Sequence, residues 1–106
     1  MNRPYEPESL SQQDVAALTG PTVIEFGTNW CGICKGAQPA IAEALADAPG
    51  GLRHIKVEDG SGRPLGRAFG VKLWPTLVFL QDGKEVARVV RPASADAVRE
   101  PLRQLA

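Results

Sequence analysis

The chain has 106 residues, of which 43% are apolar and 23% are charged. This composition is typical of a globular protein and excludes a disordered one. The length predicts a single domain over residues 1–106. Basic and acidic side chains balance to a net charge of zero, and no basic stripe is present. Nucleic acid and anionic membrane surfaces are therefore not expected as partners.

The first eight residues are polar and include two prolines, which predicts a loose lead-in without regular structure. They contain no apolar segment of the kind found in secretory signals. No apolar run in the chain reaches the length of a membrane span. We therefore expect a cytoplasmic location, and in that reducing compartment a purely structural disulfide is uncommon.

The first half of the chain predicts helix, strand and helix. Ser11 with Asp14 resembles a capped helix start, and this short helix is predicted to run to about Leu18. Residues 22–26 are rich in β-branched and aromatic side chains and predict a buried strand. A long helix follows, with Pro39 as a predicted kink. Its apolar stripe consists of Ala37, Ala40, Ile41, Ala44, Leu45 and Ala48, and Pro49-Gly50-Gly51 is predicted to end it.

The second half predicts two further strands and a hairpin partner. The elements in order are a strand at 52–58, a turn at 59–63, a short helix at 64–69, and strands at 76–81 and 84–90. Asp82-Gly83 between the last two strands is a strong hairpin signal. Ser94 is predicted to cap a final helix, in which Pro101 implies a kink or a broken start.

This order of elements defines an α/β fold class. A strand–helix–strand unit gives parallel pairing with a right-handed crossover, and the hairpin adds antiparallel strands. The prediction is a mixed sheet of about four to five strands with helices on both faces.

The chain contains only two cysteines, Cys31 and Cys34, and they lie between the predicted buried strand and the long helix. The thiolate is the nucleophile in disulfide exchange, and the partial positive charge of a helix start favours it. The second cysteine lies one turn further along the helix, where it can resolve a mixed disulfide. The pair therefore predicts thiol–disulfide chemistry.

Three alternative roles of the cysteine pair compete with redox chemistry. A structural disulfide over so short a loop contributes only about 2 kcal/mol in the chain-entropy account. A zinc site usually requires four ligands, and the chain adds only one histidine, His54, in a different predicted strand. The third alternative is two unrelated buried cysteines. Redox chemistry is the favoured interpretation.

The chain resembles the thioredoxin family over nearly its whole length. The motifs that carry the resemblance are Glu25-Phe26, the run Trp30-Cys31-Gly32-Ile33-Cys34-Lys35, Pro39, Trp74-Pro75-Thr76 and Asp82-Gly83. The resemblance implies a thioredoxin fold in which Cys31 is the exposed nucleophile and Cys34 the buried resolving thiol. It also implies that the peptide bond before Pro75 is cis and lies against the cysteine pair. Trp30 is expected to be a partly exposed wall of the site, and the alternative is a plain core role.

Two charged residues in predicted strands match positions that the family uses in catalysis. Glu25 stands where the family has a buried acid, and Lys56 matches the lysine that accompanies it. A carboxyl group with a raised pKa in that position could take a proton from Cys34, directly or through a water. The alternative is that Glu25 points outward and Lys56 is solvated. His54 is expected to be a surface or edge residue and not a catalyst.

Several positions depart from the family pattern. Gly32-Ile33 stands between the cysteines in place of Gly-Pro, and Gly27 stands where tryptophan is common. Trp74 replaces a small aliphatic residue, and Arg91-Pro92 replaces a flexible glycine loop. The residues expected to border a substrate are Trp30, Gly32, Ile33, Trp74, Pro75, Thr76 and Arg91.

The resulting functional prediction is a protein-disulfide oxidoreductase that works as a reductase through the Cys31/Cys34 couple. No bound cofactor is expected, because the cysteine pair itself carries two electrons. The expected partners are disulfide-containing proteins and an external reductase or a small thiol as electron donor, and a monomer is expected. The alternatives are a binding or scaffold module with this fold, and an isomerase-like or oxidising disulfide exchanger.

Overall fold

A computed structural model describes residues 3–7, 9–48 and 50–105. Its centre is a four-stranded mixed sheet, formed by β1 (Pro21–Gly27), β2 (Arg53–Glu58), β3 (Thr76–Gln81) and β4 (Lys84–Val90). The order across the sheet is β2-β1-β3-β4. β1 pairs with β2 in parallel, and the other two pairings are antiparallel. The mixed α/β architecture predicted from the order of elements is therefore confirmed.

In the described part of the chain, four helices surround the sheet: α1 (Gln12–Ala16), α2 (Gly32–Ala46), α3 (Pro64–Ala68) and α4 (Ala95–Leu102). The side chains of Ser11 and Ser94 cap α1 and α4, as predicted. α2 continues through Pro39 and ends at Ala46, while Pro49, part of the predicted stop, lies outside the described residues. None of the helices described is long and apolar enough to cross a membrane.

Side-chain alternation along β1 divides the core into two layers. Val23 belongs to the layer beneath α2 and α4, whereas Ile24 and Phe26 belong to the layer on the opposite face. Successive side chains of a strand point to opposite faces of a sheet, so Glu25 shares the face of Val23. The structure therefore places a carboxylate within the apolar layer beneath α2, in the same layer as the cysteine-bearing helix.

The N-terminal segment is ordered against the sheet, so the prediction of a loose lead-in is wrong for residues 3–7. Glu6 forms a parallel bridge with Val57 of β2, and its carbonyl accepts a hydrogen bond from the Glu58 amide at 2.7 Å. Tyr5 is only 5% exposed. An edge strand offers unpaired backbone groups, and burial of the tyrosine ring adds an apolar gain. Met1, Asn2 and Glu8 lie outside the described residues.

Candidate active site

The two cysteines lie at the start of α2 in different environments. Cys31 is the N-cap residue of the helix, and its sulfur accepts a hydrogen bond of 3.1 Å from the backbone amide of Cys34. Its side chain is partly accessible, whereas Cys34 is fully buried. Both are free thiols. The amide and the helix start place partial positive charge beside the Cys31 sulfur. This arrangement fits an outer sulfur that attacks a disulfide and an inner sulfur that resolves the mixed disulfide.

The buried thiol is the harder of the two to ionise. Burial, followed by the hydrogen bond to Cys31 and the charge of Cys31, raises the pKa of Cys34 to about 12. A hydrogen bond with the backbone of Thr28 and one with the Tyr5 hydroxyl act in the opposite direction. Cys34 is therefore protonated at neutral pH, and its participation in exchange requires a group that removes the proton.

Glu25 is completely buried and accepts three hydrogen bonds. Its Oε2 accepts bonds from the Tyr5 hydroxyl and from Gln38 Nε2, the latter at 2.8 Å, and its Oε1 lies 2.9 Å from His54 Nε2. Burial acts to raise the pKa of Glu25, but these three bonds and the charge of Lys56 together lower it below the usual value. The expectation of a raised pKa is therefore wrong: the carboxyl group is held as a carboxylate.

Lys56 accompanies this carboxylate without contacting it directly. It pairs with Glu25 in the register of β1 and β2, but its ammonium donates to Gln38 Oε1 at 2.8 Å and to the Arg3 carbonyl at 2.6 Å. Burial lowers the pKa of Lys56, as does the charge of Arg3, while the charge of Glu25 raises it. The predicted alternative, in which both groups point to solvent, does not hold.

Three members of this network were missed in the sequence analysis. His54 lies on the edge strand, as expected, but its ring contacts Glu25 and its side chain is only 24% exposed. Gln38 bridges Glu25 and Lys56 and also donates to the Cys34 carbonyl at 2.9 Å. The sequence could have indicated the position of Gln38, because this polar residue lies four positions after Cys34 and therefore on the same side of the helix. Tyr5 carried no such signal.

The surface around Cys31 is aromatic. Trp30 is 73% exposed, and its ring meets that of Trp74 edge to face with centroids 5.7 Å apart. Trp74 is partly buried, and its indole nitrogen donates to Asp59 Oδ2 at 2.8 Å. The two rings form an aromatic pair, one member of which directly precedes Cys31 in the chain. Gly32 and Ile33, in the first turn of α2, are also exposed.

The loop before β3 differs in part from the expectation. The Trp74–Pro75 peptide bond is cis, as the resemblance implies. Thr76, in contrast, is 1% exposed and donates its hydroxyl to the Leu73 carbonyl at 2.6 Å. Its side chain is buried and shapes the loop, so the predicted contact of Thr76 with a substrate, which stays a prediction, would have to be made by its backbone.

Arg91 borders the same loop from the end of β4. Its side chain donates to the Trp74 carbonyl at 2.9 Å and its backbone amide to the Pro75 carbonyl at 2.8 Å. It adopts a positive φ of 50°, a region that glycine enters more easily. The arginine therefore replaces a flexible position with one that is tied to the loop.

The arrangement defines a class of protein. The site contains an accessible thiol at a helix start, a buried partner thiol and an ionised carboxylate beneath it. Such a pair of thiols can transfer two electrons to a disulfide. Among the described residues, no group of three or more His, Cys, Asp or Glu side chains is arranged to hold a metal ion. The class is that of the thiol–disulfide oxidoreductases.

The comparisons with known proteins agree with this class. The sequence profile of the thioredoxin family matches residues 6–104. The solved structure of reduced thioredoxin 2 from Pseudomonas aeruginosa is 54% identical, with a TM-score of 0.86 over 98% of this chain and 95% of that one. The chain belongs to the thioredoxin family.

Two curated relatives show how much of each protein is shared. A thioredoxin of Chlamydia muridarum is 38% identical over 92 residues, which are 84% of this chain and 88% of that protein. A protein disulfide-isomerase of Neurospora crassa is 43% identical over 75 residues, 67% of this chain. The aligned part is only 20% of the isomerase's length, so this likeness concerns one segment of a much larger protein.

Proposed function

We propose that this protein reduces disulfide bonds in other proteins, with Cys31 as the attacking thiolate and Cys34 as the resolving thiol. The observation that carries this assignment is the contrast between the two sulfurs: Cys31 is accessible at the helix start, and Cys34 is fully buried behind it. An approaching disulfide can reach only the outer sulfur.

The reaction proceeds in two exchanges. The Cys31 thiolate attacks one sulfur of the substrate disulfide, forms a mixed disulfide and releases the first substrate thiolate. Cys34 then loses its proton and attacks the Cys31 sulfur, which releases the second substrate thiolate and leaves a Cys31–Cys34 disulfide. The substrate gains two electrons and the protein loses two. An external reductase or a small thiol returns the electrons.

Glu25 is proposed as the final acceptor of the Cys34 proton. It is buried in the same layer and ionised, so it is in the correct protonation state to act as a base. Gln38 connects it to the Lys56 ammonium, which balances the negative charge without neutralising the carboxylate by direct contact. Lys56 is therefore proposed as a positioning residue.

The proposed substrate surface consists of Trp30, Gly32, Ile33, Trp74, Pro75 and Arg91. An extended peptide next to the loop at Pro75 would be bound by strand-like backbone pairing, while the exposed ring of Trp30 and the partly buried ring of Trp74 would contact its side chains. A disulfide-containing protein is thus the proposed partner, and the protein is proposed to act as a cytoplasmic monomer.

Single cysteine variants test the two roles. Cys34→Ser should accumulate a stable mixed disulfide with a disulfide-containing substrate protein, because the resolving sulfur is absent. Cys31→Ser, the matched control, should not, since its remaining thiol is buried and burial raises the pKa of that thiol. The measurement is the amount of covalent complex on a non-reducing gel. Equal trapping by the two variants would contradict the assignment.

A further inference from the structure

Tyr5 reaches the active site from the N-terminal segment. Its backbone amide donates to Asn29 Oδ1 at 2.8 Å, and Asn29 Nδ2 donates back to the Tyr5 carbonyl at 3.0 Å. The adjoining Glu6 pairs with β2. Together these contacts hold the tyrosine backbone at the edge of the sheet and direct its ring inward, where the residue is only 5% exposed.

The absence of a side chain at Gly27 makes room for this ring. A Cβ atom at Gly27 would lie 2.7 Å from Tyr5 Cζ and 2.9 Å from the Cys34 sulfur, closer than such contacts allow. The end of the phenol ring and the buried sulfur therefore lie against the same point of the β1 backbone. Glycine at this position is what allows a tyrosine to lie beside the resolving cysteine.

The Tyr5 hydroxyl is shared between the carboxylate and the thiol. It donates its single proton to Glu25 Oε2 and accepts a bond of 3.2 Å from Gln38 Nε2. The end of its ring and the Cys34 sulfur lie against the same point above Gly27, and the interaction of the hydroxyl with the sulfur lowers the pKa of Cys34. A phenol has one donor and two acceptor positions, so the oxygen can accept the thiol proton while its own proton passes to the carboxylate.

Charged and titratable groups face the ring from every element packed against it. Glu25 faces the hydroxyl from β1, with His54 behind it on β2. The Lys56 ammonium lies 4.6 Å from the ring centroid. Cys34 faces the ring from α2, and Arg3 of the N-terminal segment acts on Lys56.

We propose that Tyr5 carries the proton of Cys34 to Glu25 as Cys34 resolves the mixed disulfide. This inference rests on the proposed reductase function. As the Cys34 sulfur bonds to the Cys31 sulfur, the thiol proton moves to the Tyr5 oxygen and the phenol proton moves to Glu25 Oε2. Tyr5 is unchanged at the end, Glu25 holds one proton, and the substrate leaves as a thiolate.

The energetics agree with a relay that is coupled to sulfur attack. Burial, together with the charge and hydrogen bond of Glu25, raises the pKa of Tyr5 above its usual value, so the phenol stays protonated and serves as a carrier. Two of the causes that raise the pKa of Cys34 come from Cys31, whose negative charge is lost in the mixed disulfide. The thiol is therefore easier to deprotonate at the step that requires it.

The site also has an exit for the proton. A cleft of about 180 Å³ is lined by Tyr5, Gln38 and Lys56 among other residues, and His54 is partly exposed on the far side of Glu25. Glu25 can therefore return the proton to solvent after the substrate has left.

Stopped-flow reaction with Ellman's reagent separates the two exchanges. Attack by Cys31 releases one thionitrobenzoate in a phase that depends on reagent concentration, and resolution by Cys34 releases a second in a phase that does not. The chain has no other cysteines to interfere. Tyr5→Phe keeps the ring and removes only the hydroxyl. We expect its resolving phase to be on the order of 100-fold slower near neutral pH, with the attack phase within about twofold of the native protein.

The pH profile distinguishes a relay from a structural role. Without the hydroxyl, solvent base must remove the proton from a buried thiol whose pKa is raised by burial. The resolving rate of Tyr5→Phe should then rise about tenfold per pH unit, whereas that of the native protein should be nearly flat around neutrality. Thr22→Val is the matched control, because it also removes a buried hydroxyl, in this case one on β1. This variant should leave the rates of both phases unchanged.

A double-variant comparison gives an independent test. Glu25→Gln retains the phenol but removes the proton acceptor, so it should show the same steep profile, and Tyr5→Phe/Glu25→Gln should be no slower than the slower single variant. A flat native-like profile in Tyr5→Phe, or single effects that multiply in the double variant, would overturn the relay. Neither result concerns the first phase, in which Cys31 attacks the reagent. If that phase were absent in the native protein, the proposed reductase function itself would be contradicted.

Discussion

At the scale of single residues, the state of Glu25 determines how the site works. A buried carboxyl group without partners would be neutral at physiological pH. Three hydrogen bonds, from Tyr5, Gln38 and His54, reverse that preference and keep it ionised. The group beneath the resolving cysteine is therefore a carboxylate, which can accept a proton, and not a neutral carboxylic acid.

The ionisation of Glu25 predicts a specific dependence of stability on pH. Its pKa is lower in the folded protein than the value of 4.5 for the free side chain, so it contributes stability that is fully present above about pH 4.5 and is lost as the pH falls through the folded pKa. Glu25→Gln should lower the free energy of unfolding by about 1–3 kcal/mol near pH 7, and the difference should shrink in acid. Urea denaturation over a pH series measures both.

The exposed Glu100 provides the control for this effect. Among the residues that the structure describes, its ion-pair partner is Arg103 at the surface, so Glu100→Gln should change the free energy of unfolding by less than about 0.5 kcal/mol at any of these pH values. A Glu25→Gln variant whose stability ran parallel to that of the native protein down to acid pH would show that Glu25 is not ionised in the folded state.

At the scale of elements, the β3–β4 hairpin also serves as a contact for α1. Asp82 and Gly83 have φ values of 53° and 80°, as a tight two-residue turn requires. Asp82 accepts a hydrogen bond of 2.7 Å from the Gly20 amide. A Cβ at Gly83 would lie only 2.2 Å from the Ala16 carbonyl oxygen, so the glycine permits both the turn and the close approach of α1.

Two glycine variants separate these requirements. Gly83→Ala should lower the free energy of unfolding by about 2–4 kcal/mol, because it adds a backbone clash to the cost of about 1–2 kcal/mol for a left-handed alanine. Gly20 has a φ of 78°, and a Cβ added there would meet open space. Gly20→Ala should therefore lower the free energy of unfolding only by the cost of placing alanine in the left-handed region. Urea denaturation of both variants gives the difference, and equal losses would indicate that α1 moves aside without penalty.

At the scale of the whole molecule, three separate stretches of chain meet around Trp74 and Pro75. Trp30 precedes α2, Trp74 precedes β3, and Arg91 follows β4. The aromatic pair and the bonds from Arg91 to the loop at Trp74 and Pro75 connect them. The bonds from Arg91 hold the loop against the end of β4, and a preformed surface favours partners that match its shape.

Trp74 is predicted to select among substrates. The test compares the rates at which a Cys34→Ser protein forms a mixed disulfide with two peptides, one with bulky residues beside the disulfide and one with glycines. Trp74→Ile should raise the ratio of the first rate to the second by about threefold or more, and a threefold change corresponds to under about 1 kcal/mol. Trp74→Phe retains an aromatic ring but loses the bond to Asp59. Its ratio of rates should lie between those of the Trp74 and Trp74→Ile proteins. Identical relative rates in all three proteins would indicate a site without this selectivity.

Much of this protein was determined by local sequence. The cap at Ser11, the turn at Asp82-Gly83 and the alternation along β1 define elements through nearest neighbours, and the element order then restricts the sheet to few topologies. The placement of Cys31 at a helix start was predictable for the same reason. Each of these features depends on residues that are close in the chain.

Only the tertiary structure decided the protonation of Glu25 and the role of the N-terminal segment. The groups that ionise Glu25 lie 13 to 29 positions away along the chain, and a lone acidic residue in an apolar strand predicts the opposite pKa shift. Tyr5 stands in a polar, proline-containing stretch with no periodicity to indicate burial. Its position depends on the edge of β2, on Asn29 and on the space above Gly27, all of which exist only after the sheet and α2 have packed together.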